Sequence, residues 1–138
     1  MENIPIDLVT KIKDYIIFKP ETKEELQEAV RLWCRNKNQA ITIYNNISLW
    51  DTSLITDMSD IFFNEVGLFQ EFKYFNDNIN SWDVSSVTNM CNMFSGAESF
   101  NQPLDSWDVS SVTDMYSLFN EARSFNQPID SWDVSKVT

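Results

Sequence analysis

A tandem duplication constrains this chain more than any other feature. The string SWDVSSVTNMCNMFSGAESFNQPLD, residues 81–105, is followed at once by SWDVSSVTDMYSLFNEARSFNQPID, residues 106–130, and 17 of the 25 positions are identical. Looser copies flank the pair. Tryptophan recurs at Trp50, Trp82, Trp107 and Trp132, at spacings of 32, 25 and 25. A period of this length marks a stacked array, in which each unit supplies the wall that its neighbour packs against.

The copies align as ladders. Each Trp precedes an Asp (Asp51, Asp83, Asp108, Asp133). Met58, Met90 and Met115 form a second apolar row. Phe62, Phe94 and Phe119 form a third, and Phe75, Phe100 and Phe125 a fourth. Asn76, Asn101 and Asn126 follow that last row. The fixed phase of Trp with Phe and Met reads as core rather than as a sugar-stacking platform. The Asp row lacks the Gly-rich loop of a calcium stack, so its carboxylates are expected to take backbone N–H groups in Asx turns. The Asn row is expected to satisfy buried loop backbone. The first copy carries seven extra residues in FNEVGLFQEFKY, between Phe62 and Phe75. An insertion must bulge from the stack. Its apolar residues Val66, Leu68, Phe69, Phe72 and Tyr74 fit either a lid on the junction or a sticky binding element.

Within a copy, Val87, Met90, Phe94 and Ala97 lie at i, i+3, i+7 and i+10, which predicts a short helix with Gly96 near its C-terminal cap. SFNQPLDSW then reads as a turn into a short extended segment, with Pro103 and Pro128 preventing a long strand. The expected fold class is therefore an α/β repeat. Residues 46–138 hold repeats 50–81, 82–106 and 107–131 and a partial repeat 132–138.

Residues 1–45 read as a helical cap. Pro5 with Ile6, Val9, Ile12, Lys13, Ile16 and Ile17 predicts a first helix. Thr22 and Glu25 have capping-box spacing, and Leu26, Ala29, Val30 and Trp33 follow on one face of a second helix that ends near Asn36. A short third turn covers Gln39 to Tyr44.

Charge separates the two parts. The net charge is −11. Residues 1–45 hold seven Lys/Arg and seven Asp/Glu, whereas residues 46–138 hold three and fourteen. A surface this acidic disfavours nucleic acid. It suits either solubility or a basic protein partner, with Asp105, Asp130 and Glu121 as candidate contacts. The chain has no histidine, and Cys34 and Cys91 stand in unlike contexts. The His-based nucleophile arrangements are thereby excluded. With no phosphate loop and no unlike carboxylate pair, a non-enzymatic chain without metal or cofactor is expected. No apolar run approaches a membrane span and no signal-peptide pattern opens the chain, so an intracellular location is expected.

The string W-D-V-S-x-V-T-x-M-x-x-(M/L)-F-x-x-A-x-x-F-N-Q resembles the BspA-like leucine-rich-repeat family of Mycoplasma lipoproteins, with similar repeats in large DNA viruses such as the marseilleviruses. The resemblance spans about residues 47–138 and implies a right-handed leucine-rich-repeat-type solenoid with no established activity. The lead-in from Lys19 is similar to the helical cap that precedes such repeats. Ile4 to Ile16 is similar to the first helix of an F-box. Three functions follow as expectations: a protein-interaction scaffold with an unidentified protein partner; a self-assembling structural component, of a virion in a viral setting, that forms homodimers through its C-terminal coil; or an F-box-like ubiquitin-ligase adaptor.

Overall fold

The computed structural model describes residues 16–65 and 70–138, together with Pro5. Apart from Pro5, Ile16 and Ile17, the residues of the expected first helix and F-box-like segment lie outside these, as do Val66, Leu68 and Phe69. Helix α1 spans Lys23–Arg35 and α2 spans Lys37–Tyr44. The Thr22 side chain accepts the Glu25 N–H at 3.2 Å, and the Glu25 carboxylate takes the Glu21 N–H at 3.1 Å. Asn36 ends α1 and caps α2, accepting the Gln39 N–H. A single 3-10 turn, Ile47–Leu49, leads into the repeats.

The α/β leucine-rich-repeat-type solenoid expected for the repeats is not what forms. Among the described residues the repeats contain no strand and no α-helix; only isolated parallel bridges join Asp57, Asn89 and Asp114. The coils are built from turns instead. Met93 N–H donates to Met90 O and Ala97 N–H to Phe94 O; the third copy repeats both, as Leu118 to Met115 and Ala122 to Phe119. The third residue of each turn is left-handed: Asn92, Gly96, Ser117 and Glu121 have φ of 56°, 75°, 54° and 57°. Asp60 does the same in the first copy, at 63°. A left-handed residue every fourth position breaks a helix. It still returns Val87, Met90, Phe94 and Ala97 to one side, which is why their spacing imitated one. Gly96 closes a turn, not a helix.

These turns leave alternate amides free to cross between coils. Met58, Asp60, Phe62 and Asn64 donate to the carbonyls of Asn89, Cys91, Met93 and Ser95 at 2.9–3.0 Å. Met90, Asn92, Phe94 and Gly96 donate in the same way to Asp114, Tyr116, Leu118 and Asn120. A parallel strand would also accept along this edge. Here the intervening amides are spent on the turns, so the ladder runs one way and no sheet is registered.

The core lies inside the coils. Phe62, Phe94 and Phe119 stack with centroids 5.4 and 5.6 Å apart, and Phe75, Phe100 and Phe125 at 5.8 and 6.0 Å. Within a coil the two Phe rings stack at 4.1–4.4 Å. Such pairs add about 0.5–1.5 kcal/mol each beyond the area they bury. Trp50 lies parallel to Trp82, and Trp107 to Trp132. Each indole N–H reaches back into the preceding unit: Trp82 to Ile47 O, Trp107 to Ile79 O and Trp132 to Leu104 O, at 2.9–3.0 Å. Met58 and Met90 are fully buried, and Met115 is half-buried at the third coil's forward face.

The cap closes the rear of the first coil. Leu26, Ala29, Val30 and Trp33 of α1 are buried, and Trp33, Tyr44 and Phe18 set their edges against Trp50. The Trp33 indole donates to Asp77 at 2.9 Å, beside the Lys37–Asp77 pair.

Two outcomes follow. A Cβ on Gly96 would stand 2.3 Å from the Asn64 carbonyl oxygen at a positive φ. Gly96→Ala is expected to lower unfolding free energy by at least about 1–3 kcal/mol, read by denaturant titration. Trp33→Phe removes one hydrogen bond to a carboxylate and is expected to cost about 1.5–3 kcal/mol in the same titration.

Candidate functional site

Most letters of the repeat are absorbed by its own architecture. Asp83, Asp108 and Asp133 accept the backbone N–H of Ser85, Ser110 and Ser135 at 3.0 Å, as Asp51 does from Ser53. The hydroxyls of Ser85 and Ser110 add bonds of 2.6 Å. These are the expected Asx turns. The serine bonds hold the Asp51, Asp108 and Asp133 carboxyls below the ordinary 3.8. Thr88, Thr113 and Thr138 each bond the preceding Thr carbonyl through the backbone N–H and again through the hydroxyl.

The Asn row works differently from expectation. It holds outer rather than buried backbone: Asn76 and Asn126 are exposed and Asn101 is half-buried. Asn76 Oδ1 accepts the Asn101 N–H at 2.8 Å, and Asn101 Oδ1 accepts the Asn126 N–H at 2.9 Å. The amides of Gln102 and Gln127 fasten to the same groups. The FNQP string is thus a cross-coil clasp.

The cap's cations meet the carboxylates nearest to them. Lys19 pairs with Asp51, Lys23 with Asp57, Arg35 with Glu71 and Lys37 with Asp77. Lys23 also donates to Ser59 at 2.6 Å. The insertion divides between the two readings of it. Phe72 is buried against Phe62, whereas Tyr74 is 73% exposed.

Farther along the stack the balance changes. Asp83, Asp105, Asp108, Asp130 and Asp133 are all exposed, and among the described residues none has a cation within ion-pair distance. They bracket the tryptophans in N-S-W-D, D-S-W-D and D-S-W-D, so each coil adds to one acidic corner. Asp105 Oδ1 also accepts from Asn80 of the coil behind, at 3.0 Å. Glu121 is on a different row. It follows Asn64 and Gly96 in the ladder and is held by Arg123 at 3.0 Å. The expected contact trio is therefore two corner carboxylates and one residue elsewhere. The sequence pattern did not mark Asp83, Asp108 and Asp133 as corner members because a row of Asp after Trp points only to Asx turns or to a calcium stack.

Neither thiol is poised as a nucleophile. Burial, with Asp77 and Glu71 nearby, pushes Cys34 up to about 12. Desolvation, with Asp114, Asp60 and Asp57, also raises Cys91. A protonated thiol is a poor nucleophile. Among the described residues no cluster of three or more Cys, Asp or Glu is arranged to hold a metal ion, and no helix is long and apolar enough to cross a membrane.

Residues 33–138 match the family model described as Mycoplasma protein of unknown function, DUF285, and the chain belongs to that family. No curated protein and no solved structure matches it.

Asp108 has a folded value below its unfolded one, so the stability it contributes is fully present above pH about 4 and is lost as pH falls from there through the lower folded value. Ser110→Ala removes the hydroxyl bond and keeps the backbone one. The Asp108 titration midpoint, followed by carboxyl carbon NMR, is expected to rise toward 3.8.

Proposed function

We propose that this chain is a non-enzymatic protein-interaction module that presents its acidic corner to a basic partner. The observation that carries this reading is the contrast in charge pairing along the stack. Beside the cap, carboxylates are matched by Lys19, Lys23, Arg35 and Lys37. At the corner, five exposed carboxylates go unmatched among the described residues. Three of those five belong to Asx rows whose Oδ1 atoms are engaged by Ser85, Ser110 and Ser135. Those side chains are fixed before a partner arrives, which lowers the ordering cost of binding. Like charges one coil apart repel, so a cationic ligand also relieves strain within the row.

The BspA-like reading and a viral setting rest on the repeat string alone. The F-box-like reading rests on Ile4 to Ile16.

A lysine-rich decapeptide of random sequence is a suitable probe. The protein is expected to bind it in a salt-dependent manner. Replacing Asp105, Asp108, Asp130 and Asp133 together with Asn should weaken binding at least ~10-fold, or about 1.4 kcal/mol. Replacing Asp57, Glu71 and Asp77 with the neutral amides should weaken it far less. Equal losses in the two sets would refute a localised corner, and circular dichroism confirms that each variant folds.

A further inference from the structure

We infer that the cap end of the acidic corner, at Leu49 and Leu54, is an apolar anchor for the same basic partner, an extended segment with apolar residues at one end and alternating Lys or Arg beyond them. The inference rests on the acidic-corner reading and adds the partner's pattern and placement. Leu49 and Leu54 are 55% and 49% exposed. The later copies carry serine at both places: Ser81, Ser106 and Ser131 answer to Leu49, and Ser86 and Ser111 to Leu54. Stacking turns these positions into rows, since Trp50 lies parallel to Trp82 and the Ser81 hydroxyl donates to Ser48 O. Leu49 also lines a cleft of about 140 Å³ with Ile16, Ile17, Phe18 and Tyr44. A single exposed leucine is ordinary on a protein surface. Two of them where the repeat keeps serine, one beside an apolar cleft, mark a contact surface.

Charge complementarity selects the occupant. Two places before each Trp the residues run Ser48, Asn80, Asp105 and Asp130, from neutral to acidic along the stack. Asp51, at the cap end of the other row, is already paired with Lys19 at 3.4 Å. Asp83, Asp108 and Asp133 have no cation within ion-pair distance among the described residues. A ligand lysine therefore gains most over the later coils, and a ligand leucine gains most over the first. The same carboxylates repel an anionic membrane surface, which favours a polypeptide.

The interval between coils suits an extended chain. Stacked rings of adjacent coils stand 5.4–6.4 Å apart. An extended segment advances ~6.6 Å over two residues, so its alternate side chains fall on successive coils.

The probe is a ten-residue peptide with leucine at its first and third positions, lysine at its fifth, seventh and ninth, and threonine elsewhere. Its affinity for the whole 138-residue chain is compared with that of the same peptide with both leucines replaced by threonine. The leucine peptide is expected to bind at least ~10-fold more tightly. Leu49→Ser with Leu54→Ser installs the repeat's own residues. This double variant should abolish the advantage and leave the affinity for the leucine-free peptide unchanged. Failure of both peptides to bind would overturn the acidic-corner reading and this inference with it. Equal binding of the two would overturn the apolar anchor alone, whether the patch is inert or is covered by residues 1–15. A dimer in sedimentation that the double variant dissolves would also overturn it, because the occupant would then be a second copy.

Discussion

The one-way hydrogen-bond ladder is the constraint on which the rest of the structure depends. Over residues 58–64 and 90–96 each coil gives amides to the coil ahead, at 2.8–3.0 Å over eight bonds, while Thr88, Thr113, Ser99 and Ser124 give theirs to the coil behind. That polarity is possible because left-handed residues, Asp60, Asn92, Ser117, Gly96 and Glu121, fold the alternate amides back into turns. Asn, Asp and Gly reach this conformation at least cost. The spacing between coils then brings like side chains face to face, so the aromatic stacks follow from the backbone rather than create it. Neither contribution suffices alone: a single coil pairs its two Phe rings but leaves their outer faces open, and unstacked amides would be left without partners.

Polar side chains extend the same logic around the coil. Asp closes a turn onto Ser, Thr bonds the Thr behind it, Asn accepts from the coil ahead, and Gln donates to the coil behind. The 17 letters shared by the two full copies are largely occupied in this way, or buried as Trp, Phe, Met and Val. Distinctive chemistry is left to positions where the copies differ, such as Cys91 against Tyr116 and Glu98 against Arg123, and to the outward oxygens of the Asp rows. A repeat this preoccupied with its own backbone presents a surface chemistry that varies little from coil to coil. That suits recognition of an extended charge pattern better than a pocket.

The ladders, the period, the cap helix beginning at Thr22 and the Asx turns were legible in the sequence because each has a local signature. The Trp33 face and the Thr22–Glu25 spacing specify α1 without reference to anything distant. The repeat interior was misread because Val87, Met90, Phe94 and Ala97 satisfy the helical spacing and a succession of four-residue turns equally well. Only the φ at Asn92 and Gly96 decides between them, and Asn and Gly near the end of an apolar stripe also suit a helix cap. The acidic corner was half visible. Asp105 and Asp130 were singled out from net charge, but the pairing that separates them from Asp51 and Asp77 depends on where the cap docks, which no local pattern encodes.

The extra residues of the first copy show how little the stack asks of its perimeter. Phe62 and Phe75 are 13 positions apart, against 6 for Phe94 and Phe100, yet the rings meet at 4.2 Å and 4.4 Å. Register is intact on both sides, with Asn64 bonded to Ser95 and Ser99 to Lys73. The corner between these rows is therefore a splice point. New sequence can enter there, one coil at a time, and the ladders that hold the molecule together will not record its length.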